Sequence, residues 1–201
     1  RLQCWLADAS PGFVQEHSSD SGPLLRLPVD ADTLLADYDV VIIGEAEPAR
    51  LTSDPLDGAR FLDSLAEFVR RGGGLLLLSG PRYNPRVLIS TPLEAMLPVI
   101  LLRVPGMATE AFHPLPPDPG RPHPVVMLEA DPETNRQLWE GGTPLQWFQP
   151  VERLRPGATA WLVHDSLGNV HGPYVLAASV FAPEGWIGWI GTDETWRWRF
   201  P

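Results

Sequence analysis

Ser79 lies where a nucleophile could be placed, directly after a short apolar strand and before Gly80. Residues 70–80 predict the end of a helix, a glycine stop, a fully buried strand of leucines and a tight turn. Many α/β enzymes place a nucleophile in this local architecture. The α/β-hydrolase elbow needs glycines on both sides of the serine at a fixed spacing, whereas Leu77 and Pro81 occupy those positions here. We therefore favour a serine whose hydroxyl bonds the backbone of a tight turn, with a nucleophilic Ser79 as the alternative.

A nucleophilic serine would also need a base. His164 is predicted at a strand end and His171 in a turn, so either could approach a site at the edge of the sheet. The remaining histidines are His17, His113 and His123.

Acidic residues follow two other predicted strands. Glu45 and Glu47 come after one strand, and Asp193 and Glu194 come after another. Because ligands of parallel α/β sheets bind beyond the carboxyl ends of the strands, these acids lie where a site would be, and converging acids could hold a divalent cation. The interpretation that we favour is that they cap loops or pair with arginines, and it predicts no metal site. These arginines are Arg82, Arg197 and Arg199.

The segment 196–200 alternates aromatic residues with arginines. As a strand, it would place the aromatic side chains on one face and both arginines on the other. We favour an aromatic wedge that closes the core, with the arginines paired to acids. The alternative is a recognition surface for an anion or a sugar, which would include Trp196 and Arg197.

These considerations give two sets of candidates. The candidate catalytic residues are Ser79, Asp193 and Glu194. The candidate binding residues are Glu45, Gly80, Arg82, Trp196 and Arg197.

Composition excludes several kinds of function. The chain has a net charge of −10, and all fifteen of its basic residues are arginine. This charge argues against nucleic acid as a partner and against a polybasic lipid-binding patch, and the missing lysine excludes Schiff-base chemistry. Since no apolar run reaches the roughly 18 residues that span a membrane, we expect no direct membrane insertion by this segment. Cys4, the only cysteine, is predicted to be a buried and inert strand residue.

The clearest predicted unit is a strand, a helix and a second strand with short connections. The strand 38–44 is followed by a helix from Asp54, a good N-cap, to Arg71, and then by the strand 75–78. Such a unit is right-handed with parallel strands. Other predicted elements are a strand at 2–7, short helices at 30–36 and 131–139, an irregular proline-rich segment at 103–124, and hairpin strands at 158–164, 174–181 and 186–191.

Three segments together resemble one family: 38–44, the glycine-rich strand 72–80, and the closing motif 191–199. They are similar to the glutamine-amidotransferase-like domain of large bacterial membrane proteins. The resemblance covers nearly the whole chain and implies one domain over 1–201. It implies a flavodoxin-like three-layer α/β sandwich with a mostly parallel sheet, plus C-terminal antiparallel hairpin strands.

The resemblance also implies what the site should contain. Active class I amidotransferases carry a cysteine at the position of Ser79 or Gly80, and a His-Pro-Glu motif near Asp193 and Glu194. Since neither the cysteine nor the histidine is present, glutamine hydrolysis by the usual route is not available. The resemblance therefore implies a non-catalytic module without a cofactor, with a divergent hydrolase as the alternative.

The family further implies a longer protein. Residues 2–7 match the second strand of the domain, so the first strand and helix are expected upstream, leaving the sheet with an unfilled position. Membrane anchoring is expected from segments outside this chain. The expected partners are other domains of the same protein and a small-molecule ligand.

Overall fold

The computed structural model describes residues 1–10 and 12–199. The helices are α1 (Ala31–Asp37), α2 (Pro55–Arg70) and α3 (Pro132–Gly141). The strands are β1 (Val40–Ile43), β2 (Gly74–Leu78), β3 (Val99–Leu101), β4 (Met107–Phe112), β5 (Pro114–Leu115), β6 (Leu145–Phe148), β7 (Val151–Leu154), β8 (Thr159–Asn169), β9 (Gly172–Ala182) and β10 (Gly185–Ile190).

The central sheet is mixed. Its strand order is β1-β2-β10-β9-β8-β5, and β3–β7 and β4–β6 form two small antiparallel sheets. β1, β2 and β10 run parallel, whereas the three pairings from β10 to β5 are antiparallel. The expected flavodoxin-like sandwich with a mostly parallel sheet is therefore wrong. The physical reason is the short connection from Ala182 to Gly185, which returns the chain directly beside β9, whereas a parallel neighbour needs a long crossover.

The predicted strand–helix–strand unit is confirmed by the parallel pairing of β1 with β2. Asp54 caps α2 by accepting a hydrogen bond from the backbone N–H of Leu56 at 2.9 Å. The apolar stripe of α2 is buried against the sheet. After the helix, Gly72 adopts a φ of 109°, a conformation that glycine allows and other residues rarely adopt.

Two hydrophobic clusters cover the two faces of the sheet. Ile187 and Trp189 of β10 belong to the cluster beneath α2, while their neighbours Trp186 and Ile190 belong to the other. Because successive strand residues face opposite sides, the clusters lie on opposite faces. The second cluster is rich in aromatic side chains, among them Phe112, Phe148 and Trp161.

Two predicted strands are absent. Residues 2–7 form only an isolated bridge between Gln3 and His17. The described part of the segment 196–200 lies in a 3-10 helix, Glu194–Arg199, in which the Arg197 guanidinium pairs with Glu194 three residues earlier. The prediction of an aromatic face along a strand is therefore wrong for Trp196 and Trp198, and Phe200 lies outside the described residues.

Other boundaries differ less. The short helix capped by Asp30 and the helix after Asp131 are confirmed. Part of the proline-rich segment forms β4 and β5, and β8 continues through 165–169, which was expected to be a turn. Among the described residues, no helix is both long and apolar enough to cross a bilayer.

Candidate functional site

Three loops meet at one edge of the sheet. β1, β2 and β10 are parallel, so the residues that follow Ile43, Leu78 and Ile190 emerge at the same edge. Ligands of open α/β sheets bind outside this edge, which makes it the candidate site.

Glu45 is held by the backbone of the loop that follows β2. One carboxylate oxygen accepts from the backbone N–H of Arg82 at 2.9 Å, and the other accepts from Tyr83 and Asn84 at 2.5 and 3.1 Å. Asn84 in turn donates its side-chain amide to the carbonyl of Gly44. Three successive N–H groups that converge on a carboxylate form an anion-binding nest, and here the anion belongs to the chain itself.

Gly80 is required by this arrangement. A Cβ atom at position 80 would lie 1.9 Å from a Glu45 carboxylate oxygen, so no larger residue fits there without moving the carboxylate. The structure thus brings together Glu45, Gly80 and Arg82, three predicted binding residues. Arg82 takes part through its backbone, while its side chain is exposed.

Ser79 is buried at the end of β2. Its N–H donates to the carbonyl of Ile190 at 2.8 Å, and its backbone is not in the left-handed region that Ser90 adopts. Its hydroxyl has no hydrogen-bond partner in the described part of the chain, so the prediction of a hydroxyl tied to backbone is wrong. Neither a histidine nor a carboxylate within residues 1–10 and 12–199 bonds to it, so no base activates Ser79.

Glu194 is also used by the fold. One of its oxygens accepts from the backbone N–H groups of Gln146 and Trp147 at 2.5 and 2.9 Å. The other lies 3.0 Å from Nε of Arg197. Glu194 therefore fastens the end of β10 to β6.

Asp193, in contrast, is exposed at the same edge. Partial burial raises the pKa of its carboxyl group, and the neighbouring negative charges of Glu194 and Glu45 raise it further. Within the described residues, no group of three or more histidine, cysteine or acidic side chains could hold a metal ion.

Trp196 and Arg197 form a small exposed surface beside Glu194. The Arg197 guanidinium carbon lies 5.2 Å from the centre of the Trp196 ring, and 58% of Trp196 is exposed. A cation above an aromatic face at this distance is a favourable contact, and it leaves the other ring face accessible.

The histidine considered most suitable as a base is placed elsewhere. His164 lies on β8, which is separated from β10 by β9. Its ring stacks on Phe112 at 4.2 Å, and its Nδ1 accepts from the backbone N–H groups of Ser166 and Leu167. Burial lowers the pKa of His164, while nearby Asp165 opposes this effect. A histidine that accepts at Nδ1 is neutral at that atom, so His164 is a packed core residue.

Sequence reasoning missed a cleft at the end of β1. A cavity of about 600 Å³ lies between the amino-terminal segment and the loop after β1, next to the nest around Glu45. Its wall includes Trp5, Phe13, Tyr83 and Glu47, and Arg50 reaches across it to pair with Asp8 at 2.7 Å. The only sequence signal for this cleft is its position after a parallel strand, because residues 5–13 carry no motif.

No family model matches the chain, and no curated protein matches it. Two solved structures are similar to it. The cytoplasmic protein STM1381 from Salmonella typhimurium LT2 superimposes with a TM-score of 0.64 at 18% identity, over 88% of this chain and 69% of that one. The cytoplasmic protein STM3548 from Salmonella typhimurium gives 0.59 at 21% identity, over 84% of this chain and 65% of that one. The chain thus spans about two thirds of the length of each, and at these identities the likeness shows the fold alone.

Proposed function

We propose that this chain is a non-catalytic module, similar to a glutamine-amidotransferase-like domain, that acts in binding or assembly within a membrane-anchored bacterial protein. One observation carries the proposal: the acids at the candidate edge serve the fold. Glu45 accepts three backbone hydrogen bonds, and Glu194 accepts two and pairs with Arg197. Carboxylates that are saturated in this way have no lone pair left for a substrate proton.

The cleft beside Glu45 is the proposed binding site. It combines aromatic walls with a few polar groups, which is the usual composition of a small-ligand pocket. It also lies beyond the carboxyl end of a parallel strand, where such sites occur in open α/β sheets. The half-buried carboxylate of Glu47 and the Arg50–Asp8 pair supply the charges that could orient a ligand.

A divergent hydrolase that uses Ser79 or the Asp193/Glu194 pair is the second candidate. Two observations favour it. The buried Ser79 hydroxyl has no hydrogen-bond partner in the described part of the chain, and the pKa of Asp193 is raised by partial burial and by the charges of Glu194 and Glu45. A free hydroxyl and an acid with a raised pKa are groups that hydrolytic sites use.

Two measurements separate these candidates. The first is turnover of glutamine and of a simple activated ester by the wild-type chain, Ser79→Ala and Asp193→Asn. The non-catalytic module predicts no turnover above the buffer rate in any of the three proteins. Turnover that is present in the wild type and lost in either variant would establish the hydrolase instead.

The second measurement is ligand-dependent thermal stabilisation, with a panel of small amines, amino acids and sugars. We expect at least one class to raise the melting temperature of the wild type and not of Ala46→Trp, which narrows the cleft wall. Val170→Trp is the matched control, because Val170 lies at an exposed hairpin tip far along the chain from the cleft residues. If every ligand acts equally on both variants, the cleft is not the binding site.

A further inference from the structure

β1 is an edge strand whose outer side is open. The carbonyl of Asp39 accepts from Gly74 of β2 at 2.9 Å, so alternate residues of β1 direct their backbone groups toward β2. The backbone N–H and C=O groups of Val40 and Ile42 therefore point away from the sheet. In the described part of the chain, no backbone hydrogen bond joins residues 1–10 to these groups.

The side chains of this edge are unusually apolar for an exposed position. Val40 is 51% exposed and Ile42 is 58% exposed, on the face that α2 does not cover. On the opposite face, Val41 and Ile43 pack against the main cluster. Parallel strands are normally covered on both faces, and open apolar edges are normally blocked by charges, prolines or bulges. None of these protections is present within Val40–Ile43.

The amino-terminal segment contacts the two ends of this region and leaves its middle unpaired. Tyr38 donates its hydroxyl to Gln3 at 2.6 Å before the strand, and Trp5 donates to the carbonyl of Leu51 at 2.8 Å beyond it. A cavity lies at each end of the strand. One of about 220 Å³ is lined by Asp37 and Tyr38, and the cleft of about 600 Å³ is lined by Gly44 and Glu45.

Charge indicates what could cover the edge. Asp37 and Asp39 are exposed directly before β1, and Glu47 is half-buried after it. In the described residues, no ion pair involves any of these three acids. Arg1 lies in the cavity beside Asp37 but leaves that end with a net negative charge. A second copy paired antiparallel through β1 would bring these acids together, so like-charge repulsion disfavours it.

We propose that the β1 edge binds one extended segment of a partner domain, with apolar residues in its middle and basic residues at its ends. The segment adds a strand to the sheet: its backbone pairs with Val40 and Ile42, and its basic residues face the acids at both ends. The proposal rests on the assembly part of the proposed function. It can fail separately, because the absence of turnover does not depend on it.

The test uses a peptide of about nine residues, a usual strand length, with alternating valine and threonine between two pairs of arginines. Binding to the whole 201-residue chain is measured by fluorescence anisotropy, and amide hydrogen exchange is followed at Val40 and Ile42. We expect saturable binding and slower exchange at both amides. Failure to bind, or binding without protection of these amides, would overturn the proposal.

Two control peptides separate strand addition from simple stickiness. The first carries backbone N-methyl groups along one edge, so it keeps every side chain and loses its donors. The second replaces the arginines by glutamates. Each is expected to bind at least about tenfold more weakly, which corresponds to about 1.4 kcal/mol. Equal binding of either control would contradict the proposal.

Variants of the edge complete the test. Ile42→Pro removes an outward N–H at a position where edge strands tolerate proline, and we expect at least about a tenfold loss of affinity with an unchanged circular dichroism spectrum. Ile42→Thr keeps the N–H and the branched shape, and it should stay within about threefold of the wild type. Val170→Thr, at a position 95% exposed in another hairpin, should have no effect. If sedimentation shows a dimer that Ile42→Pro converts to a monomer, the occupant is a second copy and the proposal is wrong.

Discussion

The parallel and antiparallel halves of the sheet place their polar groups differently. In the parallel half, β1, β2 and β10 end in loops whose backbone N–H groups are satisfied by the carboxylates of Glu45 and Glu194. In the antiparallel half, β8, β9 and β10 are joined by short turns, and the strands satisfy each other. Crossover connections leave unpaired backbone at one edge, so a parallel unit needs internal anions where a hairpin does not. The acids at the candidate site are a structural requirement of that topology.

The largest expected effect tests whether the two halves depend equally on their cores. Phe68 lies fully buried beneath α2, and Phe148 is fully buried in the aromatic cluster on the other face. We expect Phe68→Ala and Phe148→Ala each to lower the free energy of unfolding by about 3–5 kcal/mol, because each leaves a cavity the size of a ring. Urea unfolding followed by circular dichroism measures both.

The same experiment can contradict the picture of one cooperative sheet. If Phe148→Ala splits the transition into two steps while Phe68→Ala does not, the antiparallel half unfolds independently. Phe181→Ala is the matched control, since this ring is 83% exposed and its loss should cost less than about 0.5 kcal/mol.

A medium effect is expected at the nest in the parallel half. Gly80→Ala places a Cβ atom against the Glu45 carboxylate and displaces it from the three N–H groups that it satisfies. We expect a loss of about 2–3 kcal/mol in the free energy of unfolding, because buried donors are left without an acceptor. Thermal or urea unfolding checks this.

Gly44→Ala provides the control for this prediction. Position 44 is next to Glu45 in sequence, but a Cβ atom there would meet nothing within 4 Å. The substitution should change stability by less than about 0.5 kcal/mol. Similar losses in both variants would mean that the nest does not stabilise the fold.

The smallest effect concerns pH and lies in the antiparallel half. Burial lowers the pKa of His164, so between its folded pKa and about 6.5 the unfolded chain binds more protons than the folded chain. Stability therefore falls as the pH drops below about 6.5, with a slope of at most about 1.4 kcal/mol per pH unit.

His164→Gln tests the origin of this slope. Glutamine keeps an acceptor for the N–H groups of Ser166 and Leu167 and cannot titrate. Unfolding free energies between about pH 5 and 7 should lose this slope in the variant. Asp165 does not interfere, because its pKa is lowered and its contribution is lost only in more acidic solution, below its usual value of 3.8. An unchanged slope would assign the pH dependence to other groups.

Local signals predicted the parallel half well. The N-caps at Asp30, Asp54 and Asp131 and the strand–helix–strand unit follow from side chains that bond their own backbone or pack one face. The antiparallel neighbour of β10 was predicted as a hairpin, but its weight in the whole sheet was underestimated, so the flavodoxin-like fold was wrong.

The candidate site was less predictable from sequence. The acids after the strands were correctly placed at one edge, yet nothing in the sequence shows that the backbone of residues 82–84 captures Glu45. The alternation after Glu194 predicted a strand, because an alternating pattern cannot register an ion pair between Glu194 and Arg197 that favours a helical turn. Contacts of this kind join residues through the folded backbone and leave no periodic signal.

The carboxylate of Glu45 is an intramolecular ligand. The loop at residues 82–84 and its anion belong to one chain, so the anion is always present at a high effective concentration, on the order of that given by a short linker. A free phosphate or carboxylate at ordinary cellular concentration cannot displace it. In a protein that binds external anions, the same loop would need a residue without a carboxylate at position 45, so one side chain separates a permanently filled anion hole from an open one.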